Sequence, residues 1–543
     1  MKRYFLLISA LSVAFYSSAK KPAKVARPKL VVGIVVDQMR WDYLYRFYEQ
    51  YGNGGFKRLM KDGYNCQNTM INYLPSFTAP GHSCIYTGSV PSIHGIAAND
   101  WVDNYTGKKV YCTDDTVHEV NGGIVGGTSM SPRNLQATTI TDELRLATNM
   151  GSRVYGVSIK DRGSILPAGH LANGAYWLDE STGSFCTSTY YKNTSPAWLS
   201  IFNKRKVTDS LINLNWELQD PTTKLYTQSL PDNNAYEGSF KGENAPVFPH
   251  SIKSLSGKDK YNAFKATPMG NMLTIQIAEA CRDGEKLGEG SETDFLAISL
   301  SSTDYVGHQF GPNSIEVEDT YLKLDAQLAS LLDYLDKKVG KGNYLLFLTA
   351  DHGAAHNPQY LMDEQVPAGF MEKDMKTGLN NYLKNIYNQN DIIKHFTNYQ
   401  FYLNDSTIKA ANLDRNKVKE SIFEYLNKKP EIAYVADMEN MNRTAIPEPI
   451  RTMLINGYNR GRSGSIQIIL NPGWFEAHGK TGTTHGTWNP YDTHIPLLWY
   501  GWNIPKGETT TVVNMTDISA TLAALLHIQM PSGCIGKPII MGE

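Results

Sequence analysis

A threonine that could serve as a nucleophile lies in residues 73–82, which read Tyr-Leu-Pro-Ser-Phe-Thr-Ala-Pro-Gly-His. Thr78 stands where a turn would meet a helix, with Pro80 in the expected first helical turn and residues 83–88 continuing it. The free N–H groups and positive dipole end of such a helix favour an anion, so a hydroxyl held there could react as an alkoxide. A Thr-x-Pro sequence is also a common helix cap, and Thr78 alone does not separate the two interpretations.

Carboxylates and imidazoles recur further along the chain in positions typical of metal ligands. Three aspartates and three histidines form this set: Asp37, Asp304, His308, Asp351, His352 and His485. Mixed Asp/His ligation suits zinc or a similar divalent ion. Each residue alone has an ordinary explanation, as a turn former or as a histidine satisfied by hydrogen bonds. Taken together, in this order and after strand-like runs, they favour a metal site.

The elements that would position these residues are apolar, β-branched runs followed at once by charged residues. We predict four strands, at residues 29–36, 153–159, 295–300 and 344–349. Leucines at positions 324, 328, 331 and 335 follow helical spacing and predict a helix between the last two strands. The pattern indicates an α/β fold with a large, mostly parallel central sheet and helices on both faces. Ligands of such sheets bind at the carboxyl ends of the strands.

Two long stretches interrupt this pattern, at residues of about 195–265 and 365–465. The first is polar with little periodicity, and the second alternates helical and strand-like segments. We expect both to be insertions that form a cap on one catalytic domain spanning residues 20–543. The C-terminal part returns to the main sheet, with a strand at 495–500 and a helix from Asp517 through Leu526.

The bulk composition excludes some classes of partner. The 543 residues include 52 basic and 53 acidic ones, so neither nucleic acid nor an anionic membrane surface is expected. Residues 1–19 have the basic start, short apolar run and small-residue end of a signal peptide. We therefore expect a periplasmic or secreted protein without a membrane anchor. In that compartment, six cysteines predict disulfides, with 15 possible pairings.

These motifs resemble the alkaline phosphatase superfamily of two-metal phosphatases, and the match is ordered along nearly the whole mature chain. The segments that carry it are Asp37 after its strand, the loop around Thr78, Asp304-x-x-x-His308, Asp351-His352-Gly353, His485, residues 492–496 and Asp517-Ile518. The chain is most similar to the phosphate-irrepressible, PafA-type phosphomonoesterases, which use a threonine nucleophile. The resemblance implies an alkaline-phosphatase-like fold and a covalent phosphothreonine at Thr78.

The resemblance also divides the ligands between two Zn²⁺ ions. Asp304, His308 and His485 would hold the ion on the leaving-group side. Asp37, Asp351 and His352 would hold the ion beside Thr78, which itself would be a ligand. The Cys-or-Ser, Pro, Arg pattern of sulfatases is absent from the loop, because Gly81 follows Pro80. Magnesium ligands of some alkaline phosphatases are not identifiable, so no dedicated third metal is expected.

Specificity for monoesters rests on two basic residues. Asn99 resembles an asparagine that contacts a phosphoryl oxygen in both phosphatases and phosphodiesterases, so it does not discriminate. Lys160 and Arg162 follow a predicted strand, and alternation on an extended strand end would aim both at one phosphate. A monoester carries an extra charged oxygen, and Arg and Lys are the residues that bind it.

The leading hypothesis is thus an exported two-zinc alkaline phosphatase that acts on a broad range of small phosphate monoesters, releases inorganic phosphate and is a monomer. The alternative is a phosphodiesterase or nucleotide pyrophosphatase of the same superfamily. A third hypothesis, a binding protein with structural metals, explains less, because a structural site needs no open hydroxyl beside its ions. Four further histidines are left without a role: His82, His94, His356 and His494.

Overall fold

The computed structural model describes residues 25–121, 129–222, 226–476 and 479–542. The signal peptide predicted for residues 1–19 lies outside these ranges. Within them, no helix combines the length and the apolar character needed to cross a membrane.

The largest sheet has ten strands among the described residues. In spatial order they are Gly507–Thr509, Tyr64–Cys66, Leu497–Gly501, Tyr344–Thr349, Leu30–Val36, Asp294–Leu300, Val154–Ser158, Gly174–Asp179, Ser184–Ser188 and Val120–Asn121. The five middle strands, from Tyr344–Thr349 to Gly174–Asp179, run parallel, and an antiparallel strand flanks them on each side. The four strands predicted from apolar runs are all present within one residue of the expected bounds, and the α/β fold is confirmed.

Helices cover this sheet. They are Tyr43–Arg46, Phe56–Asp62, Thr78–Thr87, Pro91–His94, Ile140–Ala147, Asp161–Ala168, Ala197–Lys204, Val207–Ile212, Gly257–Lys265, Pro268–Glu285, Ser302–Phe310, Ile315–Leu335, Pro490–Thr493 and Asp517–Leu526. The predicted leucine stripe lies in Ile315–Leu335 and is buried. Ser314 caps this helix by accepting a hydrogen bond from the Val317 N–H. The predicted helix ending at Leu526 is also present.

The stretch expected at about 365–465 contains a smaller α/β unit with its own apolar core. Its antiparallel sheet has the order Ile393–Thr397, Gln400–Leu403, Ile466–Leu470 and Ile432–Asp437. Its helices are Met375–Tyr387, Asp405–Ala410, Arg415–Leu426 and Ile450–Gly457, and the helix Pro358–Asp363 precedes the unit. Phe77, next to the candidate nucleophile, packs against this core. The unit therefore contacts the site, while its role as a cap remains a prediction.

The stretch at about 195–265 is irregular between its helices. Residues 213–222 and 226–256 contain one isolated strand bridge, between Trp216 and His250. Trp216 is nevertheless buried, and its Nε1 donates a hydrogen bond to Asp319 Oδ2 at 2.6 Å. The segment is thus anchored by aromatic packing and buried acids on the helix Ile315–Leu335.

Three short strand pairs and one three-stranded sheet complete the architecture of the described residues. They are Gly369–Phe370 with Trp474–Phe475, Thr69–Met70 with His494–Ile495 and Val513–Asn514, Asp100–Val102 with Lys109–Tyr111, and Asp114–Asp115 with Ser129–Met130.

The prediction of disulfides from the cysteine count was wrong, because all six cysteines are free thiols. They are distributed over the fold, with Cys534 near Cys84. Cys66, Cys84 and Cys281 belong to the large core of the main sheet, whereas Cys112 and Cys186 lie in two separate small apolar clusters. Burial raises the pKa of the Cys66 thiol to about 12, which keeps it protonated and unreactive.

Candidate active site

Thr78 is the first residue of the helix Thr78–Thr87 and is almost fully buried. Phe77 before it is extended, and the helix ends at Gly88, whose φ of 63° suits glycine. A Cβ at Gly81 would lie 2.5 Å from the Asp351 carbonyl oxygen, so glycine is required for the helix to approach that loop closely. This approach places Thr78 Oγ1 3.3 Å from His352 Nε2. The hydroxyl therefore faces the metal-ligand candidates and does not cap the helix.

The three aspartates are brought together by the sheet. Asp351, Asp37 and Asp304 follow the adjacent parallel strands Tyr344–Thr349 and Leu30–Val36 and, through one helical turn, Asp294–Leu300. All three carboxylates are buried. Asp37 Oδ1 accepts no hydrogen bond from the described residues. A buried carboxylate oxygen without a donor needs a proton or a cation.

Two groups of possible metal ligands have their donor atoms within 4.8 Å of one another: Asp37 with Asp351 and His352, and Asp304 with His352 and His485. The first is the trio expected beside Thr78. The second differs from expectation, because His352 takes the place of His308. His308 remains adjacent, with its Nε2 3.1 Å from Asp304 Oδ1. The rings of His352 and His485 stack with their centroids 3.4 Å apart.

Each of the three imidazoles is oriented by a backbone carbonyl. Nδ1 of His308 lies 2.8 Å from Thr483 O, Nδ1 of His352 lies 3.0 Å from Gly353 O, and Nδ1 of His485 lies 2.9 Å from Ser76 O. Because a carbonyl only accepts, Nδ1 carries the proton, and in the neutral ring Nε2 keeps its lone pair. Every Nε2 lies within 4 Å of a site carboxylate. This donor set fits divalent cations.

The electrostatics of the cluster are uneven. Burial, followed by the nearby Asp351 carboxylate, raises the pKa of Asp37 to about 7. Burial also acts to raise the pKa of Asp304, but His308 and Lys160 hold it well below its usual range. Burial and the neighbouring His352 lower the pKa of His485 well below its usual value. Burial acts to lower the pKa of His308, but the Asp304 carboxylate raises it. Binding of divalent cations would require ionised carboxylates and release of any proton held on Nε2.

Lys160 lies at the centre of the cluster. Its Nζ donates to Asp37 Oδ2 at 2.7 Å and to Asp304 Oδ2 at 2.6 Å, and it lies 4.7 Å from the centre of the Tyr305 ring. Burial opposes the charge, but the two carboxylates raise the pKa of Lys160, so the ammonium stays protonated. A fixed positive charge therefore adjoins both ligand groups.

Arg162 is positioned differently from the expectation. The strand ends at Ser158 and the helix Asp161–Ala168 begins directly after Lys160, so Arg162 lies in a helical turn and not on an extended strand end. Strand alternation was the wrong argument. Arg162 and Lys160 nevertheless line one cavity of about 430 Å³, and Arg162 Nη1 donates to the Tyr111 hydroxyl at 3.1 Å.

Asn99 is fixed against the nucleophile helix. Its Oδ1 accepts a hydrogen bond from the Ala79 N–H at 2.9 Å. The side-chain NH₂ of Asn99 is therefore held next to the residue that follows Thr78, with its donors available to a ligand.

Sequence reasoning missed three residues that support the site. Gln38 donates through its backbone N–H to Asp351 Oδ1 at 3.2 Å and through Nε2 to Asp304 Oδ1 at 2.7 Å. His82 Nδ1 lies 2.9 Å from Thr78 O and 3.2 Å from Asp351 Oδ2. Tyr111 donates to Asp161 Oδ1 at 3.0 Å while accepting from Arg162. Proximity to the Asp37 and Thr78 motifs was the available signal for Gln38 and His82, and Tyr111 had none.

Several known proteins are similar to this chain in sequence and in fold. The model of the type I phosphodiesterase/nucleotide pyrophosphatase family matches residues 31–494. Alkaline phosphatase PafA of Elizabethkingia meningoseptica is 50% identical over 534 residues, which cover 98% of each chain. Alkaline phosphatase PhoV of Synechococcus elongatus is 50% identical over 548 residues, again with 98% of each chain covered.

A crystal structure of wild-type alkaline phosphatase PafA superposes with a TM-score of 0.91 at 50% identity, covering 95% of this chain and 100% of that one. A match of this extent includes both the central sheet and the smaller α/β unit. The chain belongs to the type I phosphodiesterase/nucleotide pyrophosphatase family of the alkaline phosphatase superfamily and, within it, to the PafA-type phosphoric monoester hydrolases.

Proposed function

We propose that this phosphomonoesterase is an exported two-zinc alkaline phosphatase that hydrolyses a broad range of small phosphate monoesters through a phosphothreonine at Thr78. The observation that carries the proposal is the 3.3 Å distance from Thr78 Oγ1 to His352 Nε2, inside a cluster of three carboxylates and three imidazoles that is buried except for the partly exposed His308. A hydroxyl in this position has the surroundings that activate an oxygen nucleophile.

The residues that would hold the ions are Asp37, Asp351 and His352 on the Thr78 side, and Asp304, His308 and His485 on the other. When bound, two zinc ions supply Lewis-acid stabilisation of the attacking and leaving oxygens of an in-line displacement. His352 has one free ring nitrogen, Nε2, so it would ligate the Thr78-side ion, with its ring stacked on His485, a ligand of the other ion.

The chain's own residues carry out the remaining steps. Thr78 Oγ1 forms a bond to phosphorus as the ester P–O bond breaks, and the proton that Oγ1 gives up ends, through solvent, on the departing oxygen, which leaves as the alcohol. Water then attacks phosphorus and releases inorganic phosphate, which regenerates the Thr78 hydroxyl. Through these steps, Asn99, Lys160 and Arg162 hold the phosphoryl oxygens with hydrogen bonds and charge.

Lys160 and Arg162 favour monoesters over diesters. Both line the same cavity, and the positive charge of Lys160 is maintained by two carboxylates. Two fixed cations complement the dianionic phosphate of a monoester better than the single charge of a diester. The alternative function, a phosphodiesterase or nucleotide pyrophosphatase, is the activity for which the family that matches residues 31–494 is named.

Kinetics on matched substrates decides between the two functions. We expect kcat/KM for phenyl phosphate to exceed that for methyl phenyl phosphate, and Thr78→Ala to lower it by more than about a thousandfold. Thr87→Ala, on the same helix, is the control, because Thr87 Oγ1 bonds only within its own helix end, donating to Ser83 O and accepting from the Ser89 N–H. Faster cleavage of the diester would establish the alternative, and full activity of Thr78→Ala would exclude the nucleophile.

Export is proposed from residues 1–19 alone, and a monomer is the expected state in solution. Fractionation of cells that express the full chain, with Edman sequencing of the mature N-terminus, tests the first. Light scattering tests the second. Retention of residues 1–19 in a cytoplasmic product would contradict export.

A further inference from the structure

The cavity beside Lys160 and Arg162 extends well beyond the space that a phosphate group occupies. Its volume of about 430 Å³ is within the range of small-molecule sites in proteins. Building on the proposed function, we infer that this cavity is a subsite for the alcohol part of the substrate and that it selects planar aromatic groups.

The charged end of the cavity fixes the orientation of a bound ester. Lys160 and Arg162 lie at this end, together with Tyr305, the neighbour of the ligand candidate Asp304. The Lys160 side chain is buried, so its ammonium forms part of the floor. An anionic phosphate binds at this floor, and the organic group attached to it then extends between the walls.

The walls supply the surface that an aromatic ring prefers. Tyr111 and Trp177 line them with Tyr305, and the thioether of Met130 adds a polarisable contact. Aromatic pairs in stacked or edge-to-face arrangements gain energy beyond the area they bury, and sulfur also contacts ring edges favourably. A short aliphatic alcohol would leave most of this surface without a partner.

Two of these wall residues are held in place before any ligand binds. The Tyr111 hydroxyl contacts both Arg162 Nη1, at 3.1 Å, and Asp161 Oδ1, at 3.0 Å. Met130 Sδ lies 3.2 Å from Thr113 Oγ1, whose hydroxyl donates to Asp161 Oδ2 at 2.5 Å. Because such side chains lose little freedom on binding, a rigid planar group gains more here than a flexible chain of equal size.

The rim of the cavity does not favour a second anionic group. Asp179, Glu180 and Lys258 contribute charges of both signs. Asp179 is engaged within its own turn, accepting from the Ser181 N–H and from Thr182 Oγ1, both at 2.9 Å. The subsite therefore fits an uncharged aromatic monoester better than a polyphosphate chain.

Inert phosphonates test the subsite without depending on catalysis. In the zinc-loaded enzyme, we expect 1-naphthylphosphonate to bind at least about tenfold more tightly than methylphosphonate by calorimetry. Met130→Trp fills the cavity with an indole and should reduce this ratio at least about tenfold. Ser181→Trp, at the exposed rim, provides a second variant if Met130→Trp does not fold, as judged by circular dichroism.

The matched control is Arg460→Trp, which places an indole in a separate cavity of about 520 Å³ whose lining includes none of the site residues. It should leave the ratio of the two dissociation constants within twofold of wild type. Equal affinity of wild type for the two phosphonates would overturn the inference, as would an unchanged ratio in a folded Met130→Trp or Ser181→Trp. Failure of the proposed function is recognised separately, by persistent hydrolysis in Thr78→Ala.

Discussion

Two buried clusters in this protein combine carboxylates with imidazoles, yet they arrange the rings in opposite ways. At the candidate active site, the Nδ1 atoms of His352 and His485 are used by backbone carbonyls. In the second cluster, His250 Nδ1 lies 3.1 Å from Glu243 Oε1 and His250 Nε2 lies 3.1 Å from Glu316 Oε1. We refer to this second cluster as the Glu243–His250–Glu316 bridge.

The difference lies in what supplies the positive charge. In the bridge, both ring nitrogens face carboxylates, so the imidazolium itself is the cation. At the site, a carbonyl accepts from Nδ1 of each ring and turns Nε2 towards the carboxylates, where Lys160 supplies one positive charge and bound metal ions would supply the rest. The same residue types thus form a structural ion pair in one place and a ligand set in the other, according to the partner of Nδ1.

Measuring the zinc content is the strongest test of the difference between the two clusters. Because His352 would ligate the ion beside Thr78, His352→Ala should bind about one zinc ion per chain and lose activity by more than about a thousandfold. His308→Ala should retain the ion held by Asp37, Asp351 and His352. Atomic emission spectroscopy after dialysis gives the stoichiometry.

His250→Gln is the control for this experiment, since the bridge has no nitrogen lone pair available to a metal. It should keep two zinc ions per chain. Two ions retained in His352→Ala, or lost equally in His250→Gln, would contradict the assignment of the two clusters.

Arg162 tests whether the positive charge at the phosphate end acts on monoesters selectively. Arg162→Ala should reduce kcat/KM for phenyl phosphate by about 10²–10³-fold, the usual cost of removing one charged donor to a transition state. The loss for methyl phenyl phosphate should be less than about tenfold. Arg133→Ala, which removes a contact with Asp115 at 3.3 Å, is the matched control. Equal losses on both esters would favour the phosphodiesterase.

The pH dependence of stability sharpens the other side of the comparison. Burial opposes the charge on His250, but the hydrogen bonds that its ring donates to the Glu243 and Glu316 carboxylates raise its pKa from 6.5 to about 9. The imidazolium therefore stabilises the fold fully below about pH 6.5, and this contribution is lost as the pH rises through about 9. At 1.4 kcal/mol per pKa unit, the loss is about 3 kcal/mol.

Urea unfolding of the metal-free chain at pH 6.5 and pH 9.5 measures this change. Glu237 acts in the same direction, because burial and the nearby Glu316 raise its pKa to about 9. His250→Gln should be less stable than wild type at pH 6.5 and show a shallower decline. A free energy of unfolding that stays constant over this range in wild type would refute the charged bridge.

The positions of the ligand candidates could be predicted from the sequence, because the backbone of the parallel strands determines them. Apolar runs ending at Asp37 and Asp351 have few alternatives to buried parallel strands, and their carboxyl ends meet at one edge. The leucine stripe fixed the connecting helix in the same way. Only the grouping differed, with His352 close to both sets, because ring stacking depends on coordinates that spacing does not encode.

The environment of Arg162 could not be predicted, because it depends on contacts between segments that are distant in the sequence. Arg162 was expected on an extended strand end, but the helix that starts at Asp161 changes its direction. Tyr111 reaches it from a hairpin about fifty residues earlier, and no local pattern predicts that pairing. The disulfide prediction was wrong for a related reason, because an even number of cysteines does not show which part of the core each thiol enters.

The smallest expected effect concerns Tyr111, which connects Arg162 to Asp161. Its hydroxyl accepts from Arg162 and donates to Asp161, so it orients the guanidinium through a neutral group. Tyr111→Phe keeps the ring in the cavity and removes only these two hydrogen bonds, which are worth about 1 kcal/mol each. We expect kcat/KM for phenyl phosphate to fall about three- to tenfold, with no additional loss in an Arg162→Ala background. A full, additive loss in the double variant would mean that Tyr111 acts on the ester directly and not by positioning Arg162.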